Sequence, residues 1–210
     1  MNQSNIVISD YQKDILQELM NIAFGNATAD LTNIIDIHIE LSVPDIELLA
    51  IRELPEYISE TIDTYSETVI INQKFLGDFK GSGLFVFPSS SGHDLSALFE
   101  ESGFECSQLS GSSLKIEIVM EIGNILIGAC VGKISELLNT SVIYSPPQAI
   151  FVKENKYDSL VNLFDSSQSV IVMKTRFQQK KGEGFILIIT DQDSLDWLKD
   201  ALDKFMEAYQ

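Results

Sequence analysis

Asp14-Ile15-Leu16-Gln17-Glu18-Leu19-Met20-Asn21-Ile22-Ala23-Phe24-Gly25 decides the fold, because it returns about a hundred residues later as Glu117-Ile118-Val119-Met120-Glu121-Ile122-Gly123-Asn124-Ile125-Leu126-Ile127-Gly128. The shared skeleton is acid-x-x-x-Glu-x-x-Asn-Ile-x-x-Gly, and Pro44 and Pro147 follow Asn21 and Asn124 at the same distance. At ~100° of helical rotation per residue, Asp14, Glu18, Asn21, Gly25 and Thr28 fall within roughly 40° of one line. Ile15, Leu16, Leu19, Met20, Ala23, Ala27, Leu31 and Ile34 crowd the other side. In the second copy Glu117, Glu121, Asn124, Gly128 and Ser135 make the polar line, backed by Val119, Ile122, Leu126, Cys130 and Leu137. Asn is a poor helix-interior residue, because its amide competes for backbone hydrogen bonds. Its appearance twice in register beside Glu requires a reason.

The helix around the first copy is predicted over about Asp10 to Ile34, opened by a Ser9/Gln12 capping box with Asp10 in its first turn. Asp36 to Leu41 alternates as a half-buried strand does, Pro44 breaks it, and Ile46 to Ile51 form the next. The acidic piece from Glu53 to Glu67 reads as a surface excursion with one helical turn. A strand from Thr68 turns at Gly77-Asp78-Phe79-Lys80-Gly81 and returns through Gly83-Leu84-Phe85-Val86-Phe87, and Asp94 caps a short helix, Leu95 to Glu101. The second half retraces this order. A helix over about Ser113 to Leu138 is followed by strands at Thr140 to Tyr144 and Gln148 to Lys153. A hairpin then joins Ser169 to Gln178 and Gly184 to Thr190, and a helix capped by Asp193 or Ser194 runs to about Ala208. The expectation is an internally duplicated α+β unit, one domain of two pseudo-symmetric repeats, about 9–105 and 112–208.

The chain has 210 residues, 45% of them hydrophobic, enough for a sizeable core. Fourteen basic against 31 acidic residues give a net charge of −17, a field that repels phosphate backbones and anionic lipid, so neither nucleic acid nor a membrane surface is an expected partner. Cys106 and Cys130 are too few for a disulfide framework, which fits a reducing cytosol. Met1 to Asn5 have no basic or apolar character of a secretory leader, and no apolar run reaches the ~18 residues of a membrane span, so a cytoplasmic protein is expected. His38 and His93 stand far apart without ligand spacing for zinc. Ser89-Ser90-Ser91-Gly92-His93-Asp94 lacks a nucleophile elbow and reads as a strand-end loop with a cap, and Asp191-Gln192-Asp193 lacks the Gly and Glu of a calcium loop. Phe85, Phe87, Phe99, Phe185 and Trp197 stand at core spacings.

The stripes themselves admit two readings. Ordinary solvated charges, with Gly25 and Gly128 present for close packing, form the plainer one. The doubled Asn argues against it, since polar residues are the least needed for packing. A carboxylate and a carboxamide one turn apart make a poor nucleophile–base pair. An amide accepts and donates at once and so can orient a water, while a nearby Glu can dock a partner's cation. That suffices for hydrolysis of an activated phosphoryl group, whose transition state asks for alignment and charge neutralisation.

The pattern Asp/Ser-x-x-x-Glu-x-x-Asn with Pro twenty-three residues beyond Asn resembles the signature of the CheC/CheX/FliY phosphatases of CheY-type response regulators. Asp14, Glu18, Asn21 and Pro44 fit it fully; Glu121, Asn124 and Pro147 fit the second copy, with Glu117 where the family has Asp or Ser. Two copies in one chain look most like CheC. The resemblance implies two long antiparallel helices side by side on an extended β-sheet, each presenting its dyad to a separate response regulator. It implies that Asn21 and Asn124 orient the attacking water and that Glu18 and Glu121 pair with the partner's lysine. Asp14 and Glu117 would support the two sites. It further implies that the Mg²⁺ belongs to the response regulator, that this chain binds no cofactor or metal of its own, and that CheD is a possible partner. A non-catalytic adaptor for phospho-response regulators, in chemotaxis or the flagellar switch, is the alternative; intact Asn in both copies favours the enzyme.

Overall fold

The computed structural model describes residues 8–35, 40–42, 44–61, 67–88, 112–153, 169–179, 182–190 and 192–208. Two 26-residue helices, α1 (Asp10–Ile35) and α3 (Ser112–Leu137), pack against each other. Around them stand β1 (Glu40–Leu41), β2 (Asp45–Ala50), a 3₁₀ turn (Ile51–Glu53), α2 (Leu54–Thr61), β3 (Glu67–Gly77) and β4 (Gly81–Pro88). After α3 come β5 (Val142–Tyr144), β6 (Gln148–Lys153), β7 (Ser169–Gln179), β8 (Gly182–Thr190) and α4 (Gln192–Ala208). This is an α+β protein whose described residues form one eight-stranded sheet.

Every strand pairing among the described residues is antiparallel. The path runs β7-β8-β4-β3 through the middle; β1 and β2 both pair with β7 at one edge, and β5 and β6 both pair with β3 at the other. Exchanging the first four strands for the last four leaves this order unchanged. The central strands carry nearly continuous apolar runs because both sheet faces are covered. Val69, Ile71, Phe85, Phe87, Ile171, Met173, Ile186 and Ile188 join the core under the long helices and α4. The intervening Ile70, Leu84, Val86, Val170, Val172, Leu187 and Ile189 form a second core on the opposite face with Ile51, Leu54 and Ile58.

That second core corrects the expectation for the acidic excursion. Leu54 and Ile58, one helical turn apart, are fully buried, so the segment is an eight-residue helix seated on the sheet. Its two acidic residues, Glu56 and Glu60, are exposed on the outer side. The first strand after α1 is seen only as Glu40–Leu41; the rest of Asp36 to Ile39 lies outside the described residues, as do His38, His93, the Ser89–Asp94 loop, the helix placed at Leu95 to Glu101, Phe99 and Cys106. No described helix is long and apolar enough to cross a membrane, and no described cluster of His, Cys, Asp and Glu could hold a metal.

The helix ends follow local chemistry. The capping box is formed: Ser9 Oγ accepts from Gln12 N–H at 3.1 Å and Gln12 Oε1 accepts from Ser9 N–H at 3.3 Å. Gln12 Nε2 also donates to Asp203 Oδ1, tying the start of α1 to α4. Ser194 is not the cap of α4. Its hydroxyl donates to the Lys80 carbonyl and accepts from the Lys80 N–H, pinning the β3–β4 turn. Helix α3 ends because Asn139 takes a left-handed φ of 54°. Its N–H reaches Glu136 O while Thr140 N–H reaches Ser135 O, the paired bonds of a Schellman stop. Thr140 is thereby drawn into the cap, and β5 starts later than predicted, at Val142. Asn139→Gly is expected to leave thermal stability within about 0.5 kcal/mol, whereas Asn139→Val, forced left-handed, should lose roughly 1–2 kcal/mol in denaturant unfolding. Equal stability of the two variants would contradict this account of the helix stop.

Candidate functional site

The apolar faces fix which way the polar stripes point. Ile15, Leu16, Leu19, Met20, Ala23, Phe24 and Ala27 of α1 are buried, as are Val119, Ile122, Leu126, Ile127, Cys130, Val131 and Ile134 of α3. With those sides committed to the core, Asp14, Glu18 and Asn21 are left exposed on α1, and Glu117 and Glu121 on α3, with Asn124 half-buried. Each Glu therefore stands one turn before its Asn on an open helix face, as the spacing predicts. Cys130 packs on the inner side, and burial pushes its thiol up to about 12.

Two parts of the predicted stripe are corrected. Ser135 lies on the same line by angle but is buried, with its hydroxyl donating to Val131 O at 2.8 Å. Thr28 likewise turns its hydroxyl back to Phe24 O. The outward polar stripe thus ends near Gly25 and Gly128. Among the described residues the close-packing reading of those glycines also fails: a Cβ built on either would meet none of their atoms within 4 Å. Close packing falls elsewhere, at Gly123, where a Cβ would come within 2.7 Å of Ile71, and at Gly83, where it would run into Ile127. These two glycines let α3 settle onto β3 and β4.

Hydrogen bonds to the sheet edges hold the surroundings of each Asn. Beside the first, Gln17 Nε2 donates to Pro44 O at 2.7 Å, so Pro44 is buried against α1 one turn from Asn21. Asn21 itself makes no side-chain hydrogen bond among the described residues. Beside the second, Tyr144 donates its hydroxyl to Gly128 O at 3.2 Å, and burial, with a smaller contribution from Cys130, pushes that phenol up to about 12. Asn124 is held: Gln73 Nε2 of β3 donates to Asn124 Oδ1 at 2.6 Å and to Ser145 O at 3.1 Å. Gln73 escaped the sequence reading. Its signal was a polar residue in the inward-facing series Val69, Ile71, Gln73, Phe75, which alternation alone would have made apolar.

The site thus consists of two Glu/Asn pairs on long helices, the first exposed and the second with its Asn half-buried, each followed by a glycine with open space beside it and backed by a strand connection containing proline. A family model described as CheC-like matches residues 12–48, the segment holding Asp14, Glu18, Asn21 and Pro44. CheY-P phosphatase CheC of Bacillus subtilis (strain 168) is 23% identical over 202 residues, covering 93% of this chain and 95% of that protein. Flagellar motor switch phosphatase FliY of the same organism is 19% identical over 201 residues; these are 96% of this chain but 51% of FliY, so the chain spans about half of FliY's length. The crystal structure of Thermotoga maritima FliY matches with a TM-score of 0.72 at 19% identity, covering 95% of this chain and 100% of that one, which establishes the shared fold. In its motif, in relatedness along nearly its whole length and in its fold, the chain is similar to the CheC-like family.

Proposed function

We propose that the protein is an aspartyl-phosphate phosphatase acting on a CheY-type response regulator, in chemotaxis or related two-component signalling. The observation that carries this reading is the Glu/Asn pair one turn apart on both long helices, exposed on α1 and with Asn124 half-buried on α3, ending at glycines with open space beside them. The similarity to CheC and FliY, both named as phosphatases, supports it. The symmetric strand order supports the companion reading that the domain is an internal duplication, repeats 9–105 and 112–208, with one site in each.

In this mechanism Asn21 and Asn124 hold a water in line with the phosphorus, accepting from its O–H through the amide oxygen. Glu18 and Glu121 pair with the partner's phosphate-site lysine, and Asp14 and Glu117 support the docking face. The water oxygen forms a new bond to phosphorus as the bond to the aspartyl oxygen breaks. The carboxylate leaves with the bonding pair, and the water's proton goes to the released phosphate or to solvent. The chain contributes alignment, which is what a loose phosphoryl-transfer transition state requires. The Mg²⁺ that neutralises the phosphoryl charge would sit in the response regulator.

The glycines fit a docking face. Gly in a helix interior costs roughly 0.5–1 kcal/mol relative to Ala, and nothing described inside the molecule requires it at 25 or 128. Close approach of a partner's backbone gives the cost a purpose.

Two predictions follow from this face. In decay assays with a radiolabelled phospho-response regulator, Asn21→Ala combined with Asn124→Ala should slow the catalysed step ~10²-fold or more, and each single change less. A double variant as fast as the wild type would sink the catalytic assignment; a double variant that still binds but does not hydrolyse would leave the adaptor role as its residual activity. Gly25→Ala and Gly128→Ala should each raise folding stability by about 0.5–1 kcal/mol while slowing dephosphorylation. Stabilised variants with unchanged rates would remove the glycines from the docking face.

A further inference from the structure

The two halves build the same edge connection from matched residues. In the second half Ser145 N–H donates to Lys74 O, Lys74 N–H donates to Ser145 Oγ, and the side chain of Gln73 donates to Ser145 O. In the first half Ser42 N–H donates to Arg176 O, Arg176 N–H donates to Ser42 Oγ, and the side chain of Thr175 donates to Ser42 O. Gln73 and Thr175 therefore occupy corresponding places. They differ in reach. Thr175 is spent on Ser42, whereas the second N–H of the Gln73 amide extends to Asn124 Oδ1 at 2.6 Å.

This contact has only one sensible orientation. Ser145 O is a backbone carbonyl and can only accept, so the NH₂ end of Gln73 must face it. Asn124 must then present its oxygen to the same NH₂ group. Gln73 is 2% exposed and its own Oε1 has no hydrogen-bond partner among the described residues, so the two Nε2 bonds set its position. Asn124 keeps one lone pair on Oδ1 and both Nδ2 protons for other partners. Asn21, exposed and without a described partner, must lose its rotamer freedom when it acts.

We propose that Gln73 is a positioning residue for Asn124, pre-orienting its amide so that the two sites are inequivalent and the second is the preorganised one. The proposal rests on the phosphatase reading above. Gln73 is buried and cannot touch the partner, so its effect falls on the chemical step and not on docking.

The test isolates each site. With Asn21→Ala only the second site remains, and adding Gln73→Met, of equal length but without donors, should lower kcat roughly fivefold with KM unchanged. With Asn124→Ala only the first site remains, and the same Gln73→Met change should leave kcat unaltered. Gln73→Glu, which offers no donor to Asn124 Oδ1, should behave as Gln73→Met does. Independently of activity, side-chain amide ¹⁵N relaxation should show Asn124 more ordered than Asn21, and Gln73→Met should erase the difference. Unchanged kcat at the second site, an equal fall in both backgrounds, or Asn124 as mobile as Asn21 would each overturn the positioning role. Loss of all activity in the wild type with the relaxation difference intact would instead sink the phosphatase reading alone.

Discussion

Everything at the candidate site depends on two helices burying one side each on the same face of a sheet. The apolar sides of α1 and α3 reach the core with Leu16, Leu19 and Met20 in one and Ile122, Leu126 and Ile127 in the other. Once those residues are committed, helix geometry leaves no choice for the rest: Glu18 and Asn21, and Glu121 with its Asn124 neighbour, must stand on the free side. Helix and sheet are fitted to each other, Gly123 of α3 and Gly83 of β4 removing the Cβ atoms that would hold α3 away from β3 and β4. A positioned amide is only as precise as the backbone beneath it, and here that backbone is a packed helix, not a loop.

The near-symmetry of the sheet makes its departures informative. The Ser42 and Ser145 connections repeat bond for bond, yet one is backed by a threonine and the other by a glutamine that reaches the helix. On the first helix Gln17 secures Pro44, and on the second Tyr144 secures the Gly128 carbonyl. Each half has thus found its own way of fixing the strand connection beside its Asn. In the proposed function, a chain with two such sites can differ in how ready each is, without any change in the residues that face the partner.

Much of this was legible in the sequence. The repeated Glu-x-x-Asn helix, the Ser9/Gln12 capping box, the β3–β4 and β7–β8 hairpins and the outward direction of the stripes all follow from local periodicity and turn chemistry. What was hidden depends on contacts distant in sequence. The acidic charges of Glu53 to Glu67 concealed Leu54 and Ile58, whose burial is meaningful only once a second sheet face exists to receive them. Ser135 matched the polar line by angle, but the protein covers that end of α3. Ser194 looked like a cap until Lys80 came within reach. Gln73, 51 positions from Asn124, carried only the faint sign of a polar residue at an inward strand position.

In the proposed function each long helix docks a phosphorylated response regulator through its Glu. The most direct measurement is the binding stoichiometry, by isothermal titration, of a CheY-type response regulator locked in its phosphorylated form with beryllofluoride. Two partners per chain are expected for the wild type, one after either Glu18→Arg or Glu121→Arg, and none after both. A stoichiometry that both charge reversals leave unchanged would contradict it.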